Sequence, residues 1–554
     1  VTREEVFLLV LSEAFLVGFI GAILGAILGV LMGQGTVRLV TQTINDLFFV
    51  VSVRGVQIPV SSLIKGIVLG VLATLITAAP PAWEAASVSP RMALVRSGLE
   101  SKAQRAVGVA AWLGLVFIAA GIGLLFLPSN SLVISFAATF AIVVGFAMLV
   151  PLSTRLMMLG ASPLLGKVWG ILGRMAPRDV VNSLSRTSIA VMALMVAVSV
   201  TIGVSLMVSS FRATVVTWLG ETLQNDIYIS APGLTSTTPS IVIEPSIKRI
   251  LTNIPNIERI DVLRSVQIDS PEGLVHIAAT DNYSLGEERI FLSTTVPEEQ
   301  IWDRMSEGAV IVSEPFANRL NLDKRVASIL LSTANGLESF DVIGIYYDYA
   351  STQGTITMAL NVYQDHWQDQ DITALGLRLS PGANLDQVVR EVETAIASQQ
   401  RLIVRPNQAL RNEVLIVFDR TFAITAALQL LATIVAFIGV LSALLSLALE
   451  KQRELGILRS IGLTVRQLWG LIMLETGLMG SVAGFLALPT GYALAIILIY
   501  IINRRSFGWT LQLQVEPAPF LQAMLVAILA ALIAGIYPAI RMSRMVTSEA
   551  MRSE

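Results

Sequence analysis

The stretch Glu450-Lys451-Gln452-Arg453-Glu454-Leu455-Gly456-Ile457-Leu458-Arg459-Ser460-Ile461-Gly462-Leu463-Thr464 is a charged island between two apolar runs. Leu455, Leu458 and Ile461 recur at helical spacing and share a face, while Lys451, Arg453, Glu454 and Arg459 supply charge. Ahead of it, Thr421–Leu449 continues for 29 residues without a charged side chain, and behind it Thr476–Asn503 is also uncharged. Roughly 20 apolar residues cross a hydrocarbon core of about 30 Å. Both flanks are therefore membrane spans, and the island is a short loop at one bilayer surface. An amphipathic helix held between two spans can pass a push from a partner into the membrane; the alternative is a helix resting on the headgroups. At about 1.5 Å per residue, Thr421–Leu449 is about 44 Å long, which predicts a stalk projecting beyond the bilayer.

Similar runs recur along the chain at Ala14–Val37, Gly66–Trp83, Ala106–Thr154, Thr187–Phe211 and Pro517–Ile540. The run Ala106–Thr154 contains Pro128-Ser129-Asn130-Ser131, a turn signal, and reads as a hairpin of two spans. Of 554 residues, 54% are hydrophobic and 14% charged; soluble domains carry about 25% charge, so a wholly soluble protein is excluded. The net charge of −2 is a sum of unlike parts. Residues 212–415 hold 15 Lys/Arg and 26 Asp/Glu, and the remainder holds 23 and 14. With the N-terminus in the cytoplasm, the inner loops carry 17 Lys/Arg and the short outer loops four, Arg38, Arg54, Arg504 and Arg505. The acidic block 212–415 then lies outside. Strand-like runs at Asp226–Ile229, Ala309–Val312 and Phe340–Tyr346 and an amphipathic helix at Leu385–Ser398 (Val388, Val389, Val392, Ile396) make it α+β. The predicted fold is a membrane α-helical bundle of about eight transmembrane helices with one extracytoplasmic α+β domain.

No cysteine occurs, and His276 and His366 are the only histidines. Thiolate chemistry is excluded, and each histidine reads as an ordinary strand or surface residue. Gly160–Val168 fails as a phosphate loop, having five residues between its glycines and Val168 where Ser or Thr must meet Mg²⁺. No cofactor is expected on this chain, and scattered basic residues without interleaved aromatics give nucleic-acid binding no support. Gly21, Gly25, Gly29 and Gly33 form a four-residue glycine zipper, echoed by Gly480 and Gly484, and predict close helix packing. Glu13 and Glu475 are intramembrane acids near the cytoplasmic surface; a salt bridge at that interface, to Arg3 or Arg466, is expected.

The chain repeats itself. Thr2, Val6, Glu13 and Gly18 match Thr464, Leu468, Glu475 and Gly480 at an offset of 462. Pro81-Ala82 and Ala93-Leu94 match Pro538-Ala539 and Ala550-Met551 at an offset of 457. Such collinearity points to duplication. In the second unit a span, the ectodomain and a further span precede the matched region, so the repeat predicts that a longer protein supplies their counterparts ahead of Val1.

The run 450–462 with Thr464 and Arg466-Gln467 resembles the signature of FtsX-like ABC transporter permeases, the MacB and LolC/LolE relatives or type VII mechanotransmission exporters. The endings Pro538–Met551 and Pro81–Leu94 are similar to that family's tail, and Gly308–Tyr349 to its external domains. The resemblance implies that residues 1–97 end a first permease repeat, 106–154 are a joining hairpin, and 155–186 a cytoplasmic linker. It makes 187–211 a span, 212–415 the external domain and 416–554 the second repeat, with coupling helix 450–464. Glu450, Lys451, Arg453, Glu454, Gly456, Ile457, Leu458, Arg459 and Gly462 are then the ATPase-coupling residues. The implied partners are a cytoplasmic ABC ATPase dimer carrying ATP and Mg²⁺, a second permease chain or the absent first half, membrane lipid and an extracytoplasmic partner. The implied role, in the bacterial plasma membrane, is movement or export of a lipoprotein, lipid or amphipathic peptide. A signalling subunit that controls an external hydrolase or senses an antimicrobial peptide is the alternative.

Overall fold

The computed structural model describes residues 2–47, 59–87, 98–129, 131–232, 242–271, 273–320, 322, 327–450, 457 and 459–543. Eight helices among these are long and apolar enough to cross a membrane. They are α1 (Arg3–Leu47), α2 (Val60–Ser87), α3 (Gly98–Leu125), α4 (Leu132–Asn182), α5 (Leu184–Thr222), and, after the external domain, α11 (Asn407–Glu450), α12 (Val465–Ile496) and α13 (Pro517–Ser543). The main membrane core joins Val150 and Met158 of α4, Leu194, Val198 and Ile202 of α5, Val440 of α11, Met479, Ala483 and Ala487 of α12, and Ala527 and Ala531 of α13. Small residues fill this core because, in lipid, helices gain most from close backbone approach.

Two elements differ from the sequence reading. Residues 155–182, read as a linker, are helical in two stretches that meet at a kink at Gly170 (φ 59, ψ −130). That backbone favours a residue without Cβ. The stalk is also double: α5 and α11 both extend past their apolar runs, to Thr222 and from Asn407.

Among the described residues the external domain is one ten-stranded mixed sheet with strand order β10-β1-β9-β2-β3-β8-β5-β7-β4, in which β4 is Phe291–Thr294, and β6 (Ala327–Thr333) pairs β7. The chain enters through β1 (Ile227–Ser230) and leaves through β10 (Ile403–Pro406), which are adjacent antiparallel strands with Ile227 opposite Pro406. Entry and exit side by side make the domain an insertion between two helices. One core lies around β1, β9 (Ala374–Leu379), β2 (Ile257–Ser270), α6 (Pro245–Thr252) and α10 (Leu385–Ile396), where Val388, Val392 and Ile396 face inward. A second surrounds β3 (Gly273–Thr280), β5 (Val310–Ser313), β7 (Gly336–Tyr346) and β8 (Thr355–Ala359), backed by α7 (Ile301–Ser306), α8 (Glu314–Arg319) and α9 (Leu360–Trp367).

The two halves of the repeat are built alike. Thr464 and Gln467 form a reciprocal capping box at the start of α12. Thr2 and Glu5 exchange the same pair of bonds at the start of α1. A Cβ on Gly480 would lie 2.7 Å from Ala531 Cβ, and one on Gly18, its counterpart, 2.8 Å from Thr74, the counterpart of Ala531. Gly484 meets Ala527 as Ala22 meets Gly70, with the two glycines exchanged between helices. The α1–α2 and α12–α13 hairpins thus pack through the same positions.

Candidate functional site

The C-terminal end of the island 450–464 is helical. Ile461 N–H bonds Ile457 O at 3.1 Å and Gly462 N–H bonds Arg459 O at 3.1 Å. Gly462 (φ +109) then ends the turn in the left-handed region, a stop that glycine takes without strain. Leu463 and the cap Thr464 are all that separate it from α12. Ile457 and Ile461, one turn apart, are 45% and 78% exposed. This exposed apolar pair lies on a tight turn just ahead of α12. Lys451, Arg453, Glu454, Gly456 and Leu458 lie outside the described residues, as does the side chain of Glu450.

On the other side of the island, α11 runs 44 residues from β10 to Glu450 without a break. Along the stalk it pairs with α5: Phe211, Phe418 and Phe422 cluster with ring centroids 4.5–5.7 Å apart, and Val215 and Leu219 are buried beside them. Arg212 Nε meets Asp419 Oδ1 at 3.0 Å on the surface. At the top the two helices are joined by polar side chains. Asn407 Nδ2 donates to Leu223 O (2.7 Å) and Asn225 O (2.8 Å), and Arg411 donates to Leu223 O (2.8 Å) and Gly220 O (3.3 Å). These donors satisfy carbonyls that the end of α5 leaves free.

A third attachment comes from the loop between α12 and α13. Buried Glu314, at the start of α8, accepts from Thr510 N–H (2.9 Å) and Thr510 Oγ1 (2.6 Å). Asn318 Nδ2 donates to Gly508 O, and Tyr349 OH donates to Thr510 O at 2.9 Å. Gly508 (φ +79) turns the chain against Pro315. Trp509 packs among Phe507 and Tyr349. The same loop follows α5, with Gln514 N–H on Ser210 Oγ (3.1 Å) and Gln512 N–H on Thr214 Oγ1 (3.2 Å). Arg505 caps α3 through Leu125 O and Leu127 O and bonds Ser135 Oγ of α4.

The remaining residues singled out in the sequence fall into separate places. Gly480 and Gly484 pack against α13, whereas Gly21, Gly25, Gly29 and Gly33 face open space. Glu475 is buried and Glu13 exposed. Arg466 lies nine residues before Glu475 on α12, about 14 Å along the axis, beyond ion-pair reach. Arg3 and Glu13 are separated in the same way on α1. One straight helix does not bring such distant positions together, so neither arginine is the same-helix partner of its acid. His276 pairs with Ser265 Oγ at 2.8 Å and Thr355 Oγ1 at 3.3 Å, and burial pushes its pKa down. His366 is held by Glu338. Arg264 and Asp369 form a part-buried pair at 2.7 Å with Tyr363 on the same carboxylate. Among the described residues no acidic or histidine cluster could hold a metal. Glu314, Asn318, Gly508 and Thr510 were not readable as a group, since some 190 residues separate the two sides.

Residues 1–90 and 426–547 match the family model of the FtsX-like permease C-terminal region, and 187–395 match the MacB-like periplasmic core domain. An uncharacterised ABC transporter permease protein of Mycobacterium tuberculosis is 44% identical over 559 residues. The match covers 100% of this chain and 65% of that relative, so the chain spans just under two thirds of its length. Among solved structures, the periplasmic region of MacB from Actinobacillus actinomycetemcomitans is 10% identical, covering 35% of this chain and 93% of that one (TM-score 0.27). The extracellular domain of the noncanonic ABC-type transporter YknZ from Gram-positive bacteria is 9% identical, covering 33% and 100% (TM-score 0.24).

Proposed function

We propose that the chain works as part of an ABC transporter permease of the FtsX/MacB type in the bacterial plasma membrane, and that it transmits motion from a cytoplasmic ATPase dimer to its external domain. The observation that supports this reading is α11, one helix of 44 residues that runs from the edge strand of the external sheet to Glu450, the first residue of the coupling island. At about 1.5 Å per residue it is about 66 Å long, far more than a bilayer requires.

ATP binding closes the ATPase dimer against Ile457, Arg459 and the rest of the island. The push reaches α12 through the three-residue turn and α11 directly. With the external domain fixed at α5, α11 and the 508–514 loop, the second repeat rocks as one body rather than bending at its stalk. The work is done on a lipoprotein, lipid or amphipathic peptide at the outer surface, and no continuous channel is needed. The chain makes and breaks no bonds in this scheme; ATP and Mg²⁺ stay on the partner.

Charge reversal at the island is the test. Arg453→Glu with Arg459→Glu abolishes co-purification of the ATPase while the protein remains folded. Undiminished co-purification contradicts the coupling role. Reconstituted transport and hydrolase-activation assays with the same complex separate transport from signalling.

A further inference from the structure

The α1–α2 hairpin carries a groove of about 750 Å³ along its length, lined by Gly21, Gly25, Gly29, Gly33 and Gly66. A Cβ built on any of these five meets nothing within 4 Å. Helix faces of this kind lack the contacts that give membrane helices their dispersion energy.

The second repeat shows what occupies the equivalent face. By the offsets of 462 and 457, the five glycines correspond to Ala483, Ala487, Gly491, Ala495 and Ala523. All five are buried. α5 packs along α12 and reaches α13, and it meets this face at Gly491. Ile202 of α5 sits so close to Gly491 that a Cβ there would lie 2.6 Å from Ile202 Cβ and 2.9 Å from Ser199 O. Gly203 admits Leu494 in the same manner. The comparison is between like units, because the two hairpins share their internal contacts at Gly18–Thr74 and Gly480–Ala531.

We propose that the α1–α2 groove is the seat of a membrane-spanning helix of the α5 kind. The occupant is apolar, presents a β-branched side chain to Gly29 as Ile202 faces Gly491, and sets small residues beside it. Four of the five positions are glycine here and alanine in the second repeat. The groove is thus deeper by four methyl groups and admits a helix at closer approach, or bulkier side chains.

The absence of cysteine makes the test direct. The full chain carrying Gly29→Cys is reconstituted in liposomes with a synthetic peptide of sequence 184–222 bearing Ile202→Cys, and mildly oxidised. A disulfide forms, with roughly tenfold preference over a peptide bearing Val200→Cys on the opposite face, since the bond requires Cβ atoms about 4 Å apart. Adding Gly25→Leu, which meets nothing in the hairpin itself, fills the groove and abolishes the adduct. Equal adducts with both peptides, or an adduct that survives Gly25→Leu, overturn the proposal. So does a disulfide-linked homodimer of the Gly29→Cys chain, which assigns the groove to a second copy. Failure of both peptides while the thiol introduced by Gly29→Cys reacts with a lipid-soluble maleimide assigns it to acyl chains, with the same consequence.

Discussion

Glu314 is the side chain on which the loop attachment turns. Its two oxygens take the backbone and the hydroxyl of one residue, Thr510, from 196 positions away. Charged hydrogen bonds of this sort contribute about 1.5–3 kcal/mol. Glu314→Ala is therefore expected to raise amide exchange across 508–514 by one to two orders of magnitude, while exchange in the sheet stays unchanged; hydrogen-exchange mass spectrometry reads both. His276 gives the pH dependence. Burial lowers its folded-state pKa below the ordinary value of about 6.5, so the unfolded chain binds the proton more readily. Its contribution to stability is present above that value and is lost as pH falls through it. Thermal unfolding of the full chain between pH 7.5 and 5 should show this loss, and His276→Gln should flatten it. Residues such as His276 could be recognised in the sequence as strand residues. Glu314 could not, because nothing in Val312-Ser313-Glu314 points to a loop in another part of the chain.

At the scale of elements, the long uncharged runs announced every span, since hydrophobic thickness dictates length and nothing in the protein can evade it. The stalk was legible only in α11. The extension of α5 past Phe211 includes Arg212 and reads as the start of a soluble domain; it becomes helix through packing on Phe418 and the caps from Asn407 and Arg411. In the proposed mechanism, helical continuity across this segment carries the motion. Val414 is 38% exposed on the α11 stalk. Proline there removes a backbone hydrogen bond and costs about 3 kcal/mol of helix stability, with little loss of packing. Val414→Pro should uncouple ATP hydrolysis from external work, whereas Val414→Ala should not. Parallel assays of ATPase turnover and substrate movement in proteoliposomes check the split.

For the whole molecule, the external domain is attached to the bundle through α5, α11 and the loop between α12 and α13. The α1–α2 hairpin packs chiefly on itself and meets the rest along α11. The sequence repeat revealed that hairpin as a copy, yet its open face appeared only when the glycines were seen to contact nothing. In the proposed transmission a rigid second repeat moves relative to the first. Spin labels on cysteines introduced at Leu337 in the external sheet and at Val60 or Val515, all exposed, measure this in the cysteine-free chain bound to its ATPase. On ATP binding the 337–60 distance is predicted to shift while the 337–515 distance holds. A shift in 337–515, or no shift in 337–60 while ATP is being hydrolysed, would contradict rigid-body transmission.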